Sequence, residues 1–205
     1  MSISTESEIF IASLKHALAN RESIFDAIDG AKLASILIPL QFHDNKWHVI
    51  LNVRSQNVSL HQGEIAFPGG KLEDDDENMF SCALRETWEE MGISPNTVDV
   101  LGNLDGVLTR TNYLVFPVVG VIPHPYEFDT ESKEVEEIIE IPLNSLMDDE
   151  VLRFEARLNP DGSLLKRVAF AHEKYLVFGA TAWILSQFVE IVKSMNYIRP
   201  LQEIK

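Results

Sequence analysis

The chain has 205 residues, 45% of them hydrophobic, and a formal net charge of -15 at pH 7. This length and composition predict one domain, residues 1–205, with a sizeable core. A chain this acidic is a poor candidate for binding nucleic acid or an anionic membrane through its overall field, and it has no apolar run of membrane-spanning length. Its single cysteine, Cys82, excludes an internal disulfide, so we expect a reducing, cytoplasmic location.

The first third of the chain predicts a helix and then a β-hairpin. Apolar residues recur at helical spacing over residues 7–20, which predicts an amphipathic helix within an N-terminal extension, residues 1–30. The largely apolar segments 31–42 and 47–54 flank a polar turn, so they predict two paired strands.

The rest of the chain alternates strand and helix patterns. Further strands are predicted at residues 64–67, 98–108, 113–122, 134–141, 152–158 and 167–171. Helices are predicted in the acidic segment described next, at residues 142–147 and at the C-terminal residues 176–194. The periodicity of these elements alone reaches only an α/β or α+β class.

An acidic helix is the most informative feature of the sequence. Residues 67–93 run from a glycine pair through an acidic loop into this helix. Glu86, Glu89 and Glu90 stand at positions i, i+3 and i+4, so their carboxylates project from one face and repel each other. A bound Mg²⁺ would reverse that repulsion, because hard cations prefer oxygen ligands. A solvated acidic helix face is the alternative, and spacing alone leaves both interpretations open.

This segment resembles the signature of the Nudix hydrolases. The residues that fall in register with that signature are Arg85, Glu86, Glu89, Glu90, Gly92 and Ile93. Glu77 also stands eight positions before Arg85, as the signature requires. Counted from Gly70, however, the glycine loop is then one residue longer than the general pattern, and Asp76 occupies the usual five-residue spacing. Thr87 replaces the usual aliphatic residue.

An upstream segment is similar to the additional motif of the coenzyme A pyrophosphatase branch of that family. Arg54, Ser55, Gly63 and the Phe-Pro-Gly-Gly run at 67–70 match at the expected spacing. Two positions depart from the motif. Asn52 stands where threonine is expected, and Ser59 stands where a second arginine is expected. The missing arginine bears on the substrate, because a guanidinium is well suited to phosphate.

The resemblance implies a fold and a metal site. The fold would be a Nudix-type α/β/α sandwich with a mixed β-sheet. Mg²⁺ or Mn²⁺ would be held by Glu86, Glu89 and Glu90, with the Gly70 carbonyl as a further ligand. Arg85 would orient the glutamates as part of the catalytic set, and Glu77 would pair with Arg85. Gly69 and Gly92 belong to the same structural motif.

The remaining roles are assigned with alternatives. Glu89 or Glu90 is the first choice for the general base, and Glu134 is a weaker candidate. Three cations are candidate phosphate contacts, namely Arg54, Lys71 and Arg110. Ordinary surface cations are an equally good interpretation of the last two, whereas the upstream motif supports Arg54.

The resemblance implies hydrolysis of a nucleoside diphosphate linked to another moiety. Coenzyme A, cleaved to 4′-phosphopantetheine and adenosine 3′,5′-bisphosphate, is the leading substrate. One rival is another nucleotide diphosphate, such as a nucleotide sugar, a dinucleoside polyphosphate or a nucleoside triphosphate. Another is a Nudix module that senses a nucleotide without cleaving it, although the complete glutamate set argues against this. Whether the chain forms a homodimer stays open.

Overall fold

The computed structural model describes residues 5–26, 28–55, 63–129, 134–158 and 161–195. Within these ranges the helices are α1 (Thr5–Ala19), α2 (Met79–Met91), α3 (Leu143–Leu146) and α4 (Gly179–Ser194), with a short 3-10 helix at Pro95–Thr97. The strands are β1 (Lys32–His43), β2 (Lys46–Arg54), β3 (Ile65–Ala66), β4 (Gly69–Lys71), β5 (Asp99–Asn103), β6 (Val107–Leu108), β7 (Tyr113–Val121), β8 (Val135–Pro142), β9 (Leu152–Leu158), β10 (Leu164–His172) and β11 (Tyr175–Val177).

The described strands form two sheets, and the larger of them is mixed. Strands β3, β2, β1, β7 and β5 follow one another across it, while β4 pairs with β1, β6 with β7 and β8 with β2. The central pair β1 and β7 is parallel, and the other pairs are antiparallel. The predicted hairpin is confirmed, because β1 and β2 pair with Phe42 opposite Trp47. Strands β9, β10 and β11 form a second, antiparallel sheet.

Strand β1 supplies apolar side chains to both faces of the larger sheet. Leu37 packs with Ala83 of α2 in one core, whereas Ile38 belongs to a larger core with Leu14 of α1 and Leu185 of α4. Neighbouring strand residues point to opposite faces, so one apolar strand can serve two cores. The sheet therefore lies between helices, and the predicted α/β/α sandwich with a mixed sheet is confirmed.

Two predicted elements are built differently, whereas the bounds of the others shift by at most three residues. The single strand expected at 98–108 is divided into β5 and β6, because the intervening Leu104 N–H turns to donate to Pro117 O at 2.9 Å. The C-terminal helix predicted at 176–194 begins at Gly179. Residues 176–177 extend β11 instead, where Val177 pairs with Phe170.

The N-terminal extension is helical over Thr5–Ala19 only, within the described part of residues 1–30. The chain after α1 is held by side-chain contacts rather than by helical bonds. Asp105 Oδ1 accepts the Ile24 N–H at 2.8 Å and lies 2.7 Å from Arg21 Nη2. Among the described residues, no helix is both long and apolar enough to cross a membrane.

Candidate active site

Helix α2, which carries the glutamates, is capped at both ends by its own sequence. Asn78 Oδ1 accepts hydrogen bonds from the N–H groups of Phe80 and Ser81 at 2.9 and 3.1 Å. Ser81 Oγ accepts the Asn78 N–H at 3.0 Å, which completes a capping box. At the other end Gly92 has a φ of 69°, and its N–H donates to Trp88 O at 2.9 Å. The carboxylates between these caps therefore project from a well-defined helix.

The glycine pair forms strand β4 and passes very close to its neighbours. Gly69 has a φ of 154°, and a Cβ atom there would lie 2.3 Å from Ser35 O. A Cβ atom at Gly70 would lie 2.3 Å from Glu86 Oε1. The Glu86 carboxylate therefore rests against bare backbone, in space that any other residue would fill.

Glu90 is a buried carboxylate with 5% of its surface exposed. Its Oε2 accepts hydrogen bonds from Asn52 Nδ2 at 3.1 Å and from the Gly69 N–H at 3.2 Å. Its Oε1 lies 3.9 Å from Arg54 Nη1. Burial raises the pKa of Glu90 to about 7, and Arg54 and the Gly69 N–H offset part of that effect. A carboxylate in this state is stabilised by any further positive charge.

Arg85 connects the acidic loop to the glutamates. Its Nε donates to Asp76 Oδ1 at 3.0 Å, and its Nη2 donates to Asp76 Oδ2 at 2.9 Å. Its Nη1 lies 3.1 Å from Glu86 Oε1 and 3.4 Å from Glu89 Oε1. Hydrogen bonds from Arg85 hold the pKa of Asp76 below its ordinary value.

Asp76, rather than Glu77 as the signature spacing implied, is the loop partner of Arg85. A tight turn is the reason, since the Glu73 N–H donates to Asp76 Oδ2 at 2.9 Å and the Asp76 N–H donates to Glu73 O at 3.1 Å. The turn directs the Asp76 side chain inward, with 3% of it exposed, whereas Glu77 is exposed. The additional residue of the signature therefore lies between the acidic partner and α2. From Gly70 to Asp76 the usual five-residue spacing is kept.

A family model described as the NUDIX domain matches residues 33–162. The chain belongs to the Nudix hydrolase family. It is 34% identical over 175 residues to "Nudix hydrolase 15, mitochondrial" of Arabidopsis thaliana, a match that covers 82% of this chain and 60% of the relative. It is 33% identical over 173 residues to "Uncharacterized Nudix hydrolase NudL" of Escherichia coli, a match that covers 82% of this chain and 84% of that relative. The chain thus spans less than two thirds of the plant relative.

The likeness to solved structures is more distant. A Caenorhabditis elegans Ap4A hydrolase binary complex has a TM-score of 0.48 and 18% identity, covering 54% of this chain and 80% of that one. A MutT/nudix family protein from Enterococcus faecalis has a TM-score of 0.49 and 14% identity, and the match covers 94% of this chain and 76% of that protein.

The donor set of this Nudix site suits a hard divalent cation. Glu86 and Glu90 are both poorly solvated, and burial raises the pKa of each. Every candidate donor is an oxygen atom, which Mg²⁺ and Mn²⁺ prefer. Within the described residues, no three His, Cys, Asp or Glu side chains already converge as a metal site. Glu89, whose side chain is 55% exposed, has the freedom to turn towards the other two.

Arg54 lies beside the buried glutamate at the end of β2. Its Nη1 is 3.9 Å from Glu90 Oε1, and its Nη2 is 3.9 Å from Glu134 Oε2. The β2–β8 register shifts between Val53 and Arg54, and such a bulge re-aims the side chain that follows it. Arg54 Nε is buried without a hydrogen-bond partner among the described residues. Arg54 of the upstream motif therefore lies beside Glu90 of the signature helix, and Glu134 lies next to Arg54.

The other predicted cations are placed differently. Lys71 is exposed on β4, and its carbonyl oxygen accepts a hydrogen bond from Arg85 Nη2 at 3.1 Å. Arg110 lies in the turn between β6 and β7, and in the described part of the chain no contact joins it to the glutamates. Ser59 falls outside the described residues.

Asn52 is a site residue that sequence reasoning did not select. It is 1% exposed and donates to Glu90. One signal was present, because a polar amide interrupts the otherwise apolar run of residues 49–53. A buried polar side chain in such a strand requires a partner, and here that partner is a catalytic candidate.

Proposed function

We propose that this Nudix protein is a Mg²⁺- or Mn²⁺-dependent diphosphatase that cleaves coenzyme A or a derivative to 4′-phosphopantetheine and adenosine 3′,5′-bisphosphate. The observation that supports this substrate is the position of Arg54. It belongs to the upstream segment that resembles the coenzyme A pyrophosphatase motif, and its Nη1 lies 3.9 Å from Glu90 Oε1. A guanidinium beside the candidate metal ligands is well placed to bind a phosphate of the substrate. Residues 1–205 act as a single domain in this proposal, and its location is the cytoplasm.

The metal ligands in this proposal are Glu86, Glu89 and Glu90, with the Gly70 carbonyl beside them. Glu86 already rests against the Gly70 backbone, and Glu90 is held by two hydrogen bonds. When bound, the ion neutralises phosphate charge and lowers the pKa of a bound water. Arg85 keeps Glu86 and Glu89 in place from the side.

The chemical step is attack by water on one phosphorus of the diphosphate. A new phosphorus–oxygen bond forms, the bridging bond breaks, and the leaving phosphate takes the electron pair. Glu89 accepts the proton of the water, because its carboxylate is more than half exposed and meets solvent. Glu90 is a poorer acceptor in this arrangement, since its Oε2 is engaged by Asn52 and Gly69.

Three cations contact the substrate phosphates in this proposal. Arg54 is the principal contact, and Lys71 and Arg110 are outer contacts that a substrate with several phosphates reaches. Arg54→Ala should raise KM about 10- to 150-fold, since a hydrogen bond to a charged group contributes roughly 1.5–3 kcal/mol. Arg153→Ala is the matched control, because Arg153 is an exposed arginine on β9. An unchanged KM in the Arg54 variant removes Arg54 from the site.

The deciding experiment is a substrate panel with product identification. The purified chain is incubated with Mg²⁺ or Mn²⁺ and coenzyme A, acyl derivatives, a nucleotide sugar, a dinucleoside polyphosphate or a nucleoside triphosphate. Mass spectrometry then identifies the products. Selective formation of 4′-phosphopantetheine supports the proposal. Preference for another diphosphate keeps the chemistry and changes the substrate, and turnover of none favours a nucleotide sensor.

The proposed base is tested with Glu89→Gln. We expect kcat to fall about 100-fold or more, because a positioned proton acceptor contributes at least that factor. Glu8→Gln, an exposed carboxylate on α1, is the matched control and should keep full activity. Wild-type turnover by Glu89→Gln would contradict both its role as base and its role as metal ligand.

A further inference from the structure

The two polar atoms of the Asn52 amide are in different environments. Asn52 is 1% exposed and lies two residues before the end of β2. Its Nδ2 donates to Glu90 Oε2 at 3.1 Å, whereas its Oδ1 is buried without a hydrogen-bond partner among the described residues. Leaving a buried acceptor unpaired costs stability. The unpaired Oδ1 therefore lowers the stability of the fold. The polar contact that Asn52 makes in the described structure is the hydrogen bond from its Nδ2 to Glu90.

The two oxygens of Glu90 are consequently not equivalent. Oε2 receives both protein donors, Asn52 Nδ2 and the Gly69 N–H. In the described part of the chain, Oε1 accepts no hydrogen bond, and Arg54 Nη1 lies 3.9 Å from it, beyond ordinary hydrogen-bond distance. Oε1 is thus the oxygen that stays available to an incoming ligand.

A glutamate carboxylate does not select such an orientation by itself. Its terminal torsion is broad, so without fixed donors the plane of the carboxylate can turn to angles at which neither oxygen points at a cation. The Gly69 N–H alone is one donor on a single point. Asn52 on β2 supplies a second donor to the same oxygen, and two donors restrict the rotation of the carboxylate more than one does.

We infer that Asn52 is a positioning residue that locks Glu90 with Oε1 presented to the divalent cation. This inference rests on the proposed function and deepens it. Residues that hydrogen-bond a metal ligand orient that ligand and tune its affinity for the ion. It also gives a physical meaning to the departure at position 52, because asparagine and threonine both offer a donor there.

An isosteric pair of variants separates the donor from the shape of the side chain. Asn52→Thr keeps a donor, whereas Asn52→Val has the same branched shape without one. The affinity of the 205-residue chain for Mn²⁺ alone is measured by electron paramagnetic resonance, without substrate. We expect Asn52→Val to weaken Mn²⁺ binding about 10–100-fold, and Asn52→Thr to bind close to the wild type. Substrate KM at saturating Mn²⁺ should be unchanged in both.

Gln41→Leu is a control for the loss of any buried amide. Gln41 is 1% exposed on the neighbouring strand β1, and it donates to Pro123 O at 2.6 Å rather than to Glu90. Its Mn²⁺ affinity should equal that of the wild type. Circular dichroism and urea unfolding verify that each variant is folded, and Asn52→Ser with Asn52→Ala replaces the first pair if either member is unfolded.

The outcomes separate the inference from the proposed function. If the wild type binds Mn²⁺ and the affinities of Asn52→Thr and Asn52→Val are equal, the positioning role is overturned and the metal site is not. An equal loss in Gln41→Leu overturns it as well, because the effect would then be general to the core. A wild type that binds no Mn²⁺ overturns the proposed metal site itself, and the inference with it.

Discussion

Arg85 and Asp76 form a two-point ion pair, with hydrogen bonds of 3.0 and 2.9 Å to the two carboxylate oxygens. The pair joins the acidic loop to the middle of α2, because Arg85 also lies against Glu86 and Glu89. Bidentate pairs of this kind add geometric specificity as well as free energy. The orientation of two metal-ligand candidates therefore depends on a residue outside the helix.

Asp76→Ala should lower the free energy of unfolding by about 1–3 kcal/mol, because it leaves a partly buried guanidinium without its main partner. Glu77→Ala is the matched control and should change stability little, since Glu77 is exposed. Urea unfolding at neutral pH measures both. A larger loss in the Glu77 variant would return the pairing to the position that the signature spacing implied.

The contribution of Asp76 should depend on pH with a definite sign. Arg85 lowers the pKa of Asp76 in the folded chain, so the stabilisation is fully present above the unfolded value of about 3.9. It is lost as the pH falls through the lower folded value. The difference in unfolding free energy between wild type and Asp76→Asn should therefore be constant near neutrality and shrink in acid. A difference that persists unchanged in strong acid would contradict this.

Glu90→Gln should stabilise the metal-free protein while abolishing turnover. Burial raises the pKa of Glu90 to about 7 in the folded chain, against roughly 4.3 when unfolded. The ionised carboxylate therefore destabilises the fold increasingly as the pH rises between these values, and by a constant amount above them. We expect a gain on the order of 1–3 kcal/mol above pH about 7 and a smaller gain at about pH 4.

That prediction is measured by unfolding in a chelator and again with Mn²⁺. The ion should stabilise the wild type by mass action and the variant much less, since the variant lacks one carboxylate ligand. Equal stabilisation of both proteins by Mn²⁺ would remove Glu90 from the ligand set. Equal unfolding free energies of wild type and Glu90→Gln at every pH in the chelator would contradict the prediction that the buried, ionised Glu90 destabilises the fold.

Gly70→Ala and Gly69→Ala should fail in different ways. At Gly70 the added methyl meets the Glu86 carboxylate, the mobile end of a side chain, so the fold should survive while Mn²⁺ binding and activity fall. At Gly69 the methyl meets the Ser35 carbonyl at 2.3 Å and φ is 154°, so the backbone itself must move. We expect a loss of stability of at least about 1–3 kcal/mol for Gly69→Ala, measured by urea unfolding. Gly70→Ala with full activity would separate Glu86 from the site.

The acidic helix and its family could be predicted from local sequence. The spacing of three glutamates fixes their common face, because the helical period is a property of the backbone. The glycine that follows predicts the helix end, and Gly92 indeed adopts the left-handed conformation. The strand–turn–strand pattern of β1 and β2 was equally local, since both segments are apolar around a polar turn.

Other features depend on contacts between distant segments. Asp76 and Glu77 are adjacent carboxylates in the sequence, and the turn at Glu73 decides which of them faces Arg85. The helical pattern predicted at residues 176–194 gave no indication that Leu176 and Val177 would pair with β10 instead of starting α4, because that choice depends on an available strand edge. Such choices are made by partners that lie far away in the chain.

The amino-acid order alone therefore determined the common face of the glutamates, through the helical period. The resemblance of a contiguous motif to the Nudix signature predicted the family and, through the family, the sandwich fold. Tertiary structure decided which carboxylate is buried, which acidic residue Arg85 binds and which amide orients Glu90. Asn52 and Glu90 are 38 residues apart in sequence and meet only where β2 passes beside α2. Burial and hydrogen bonding at that meeting point are properties of the packed fold, and no local pattern contains them.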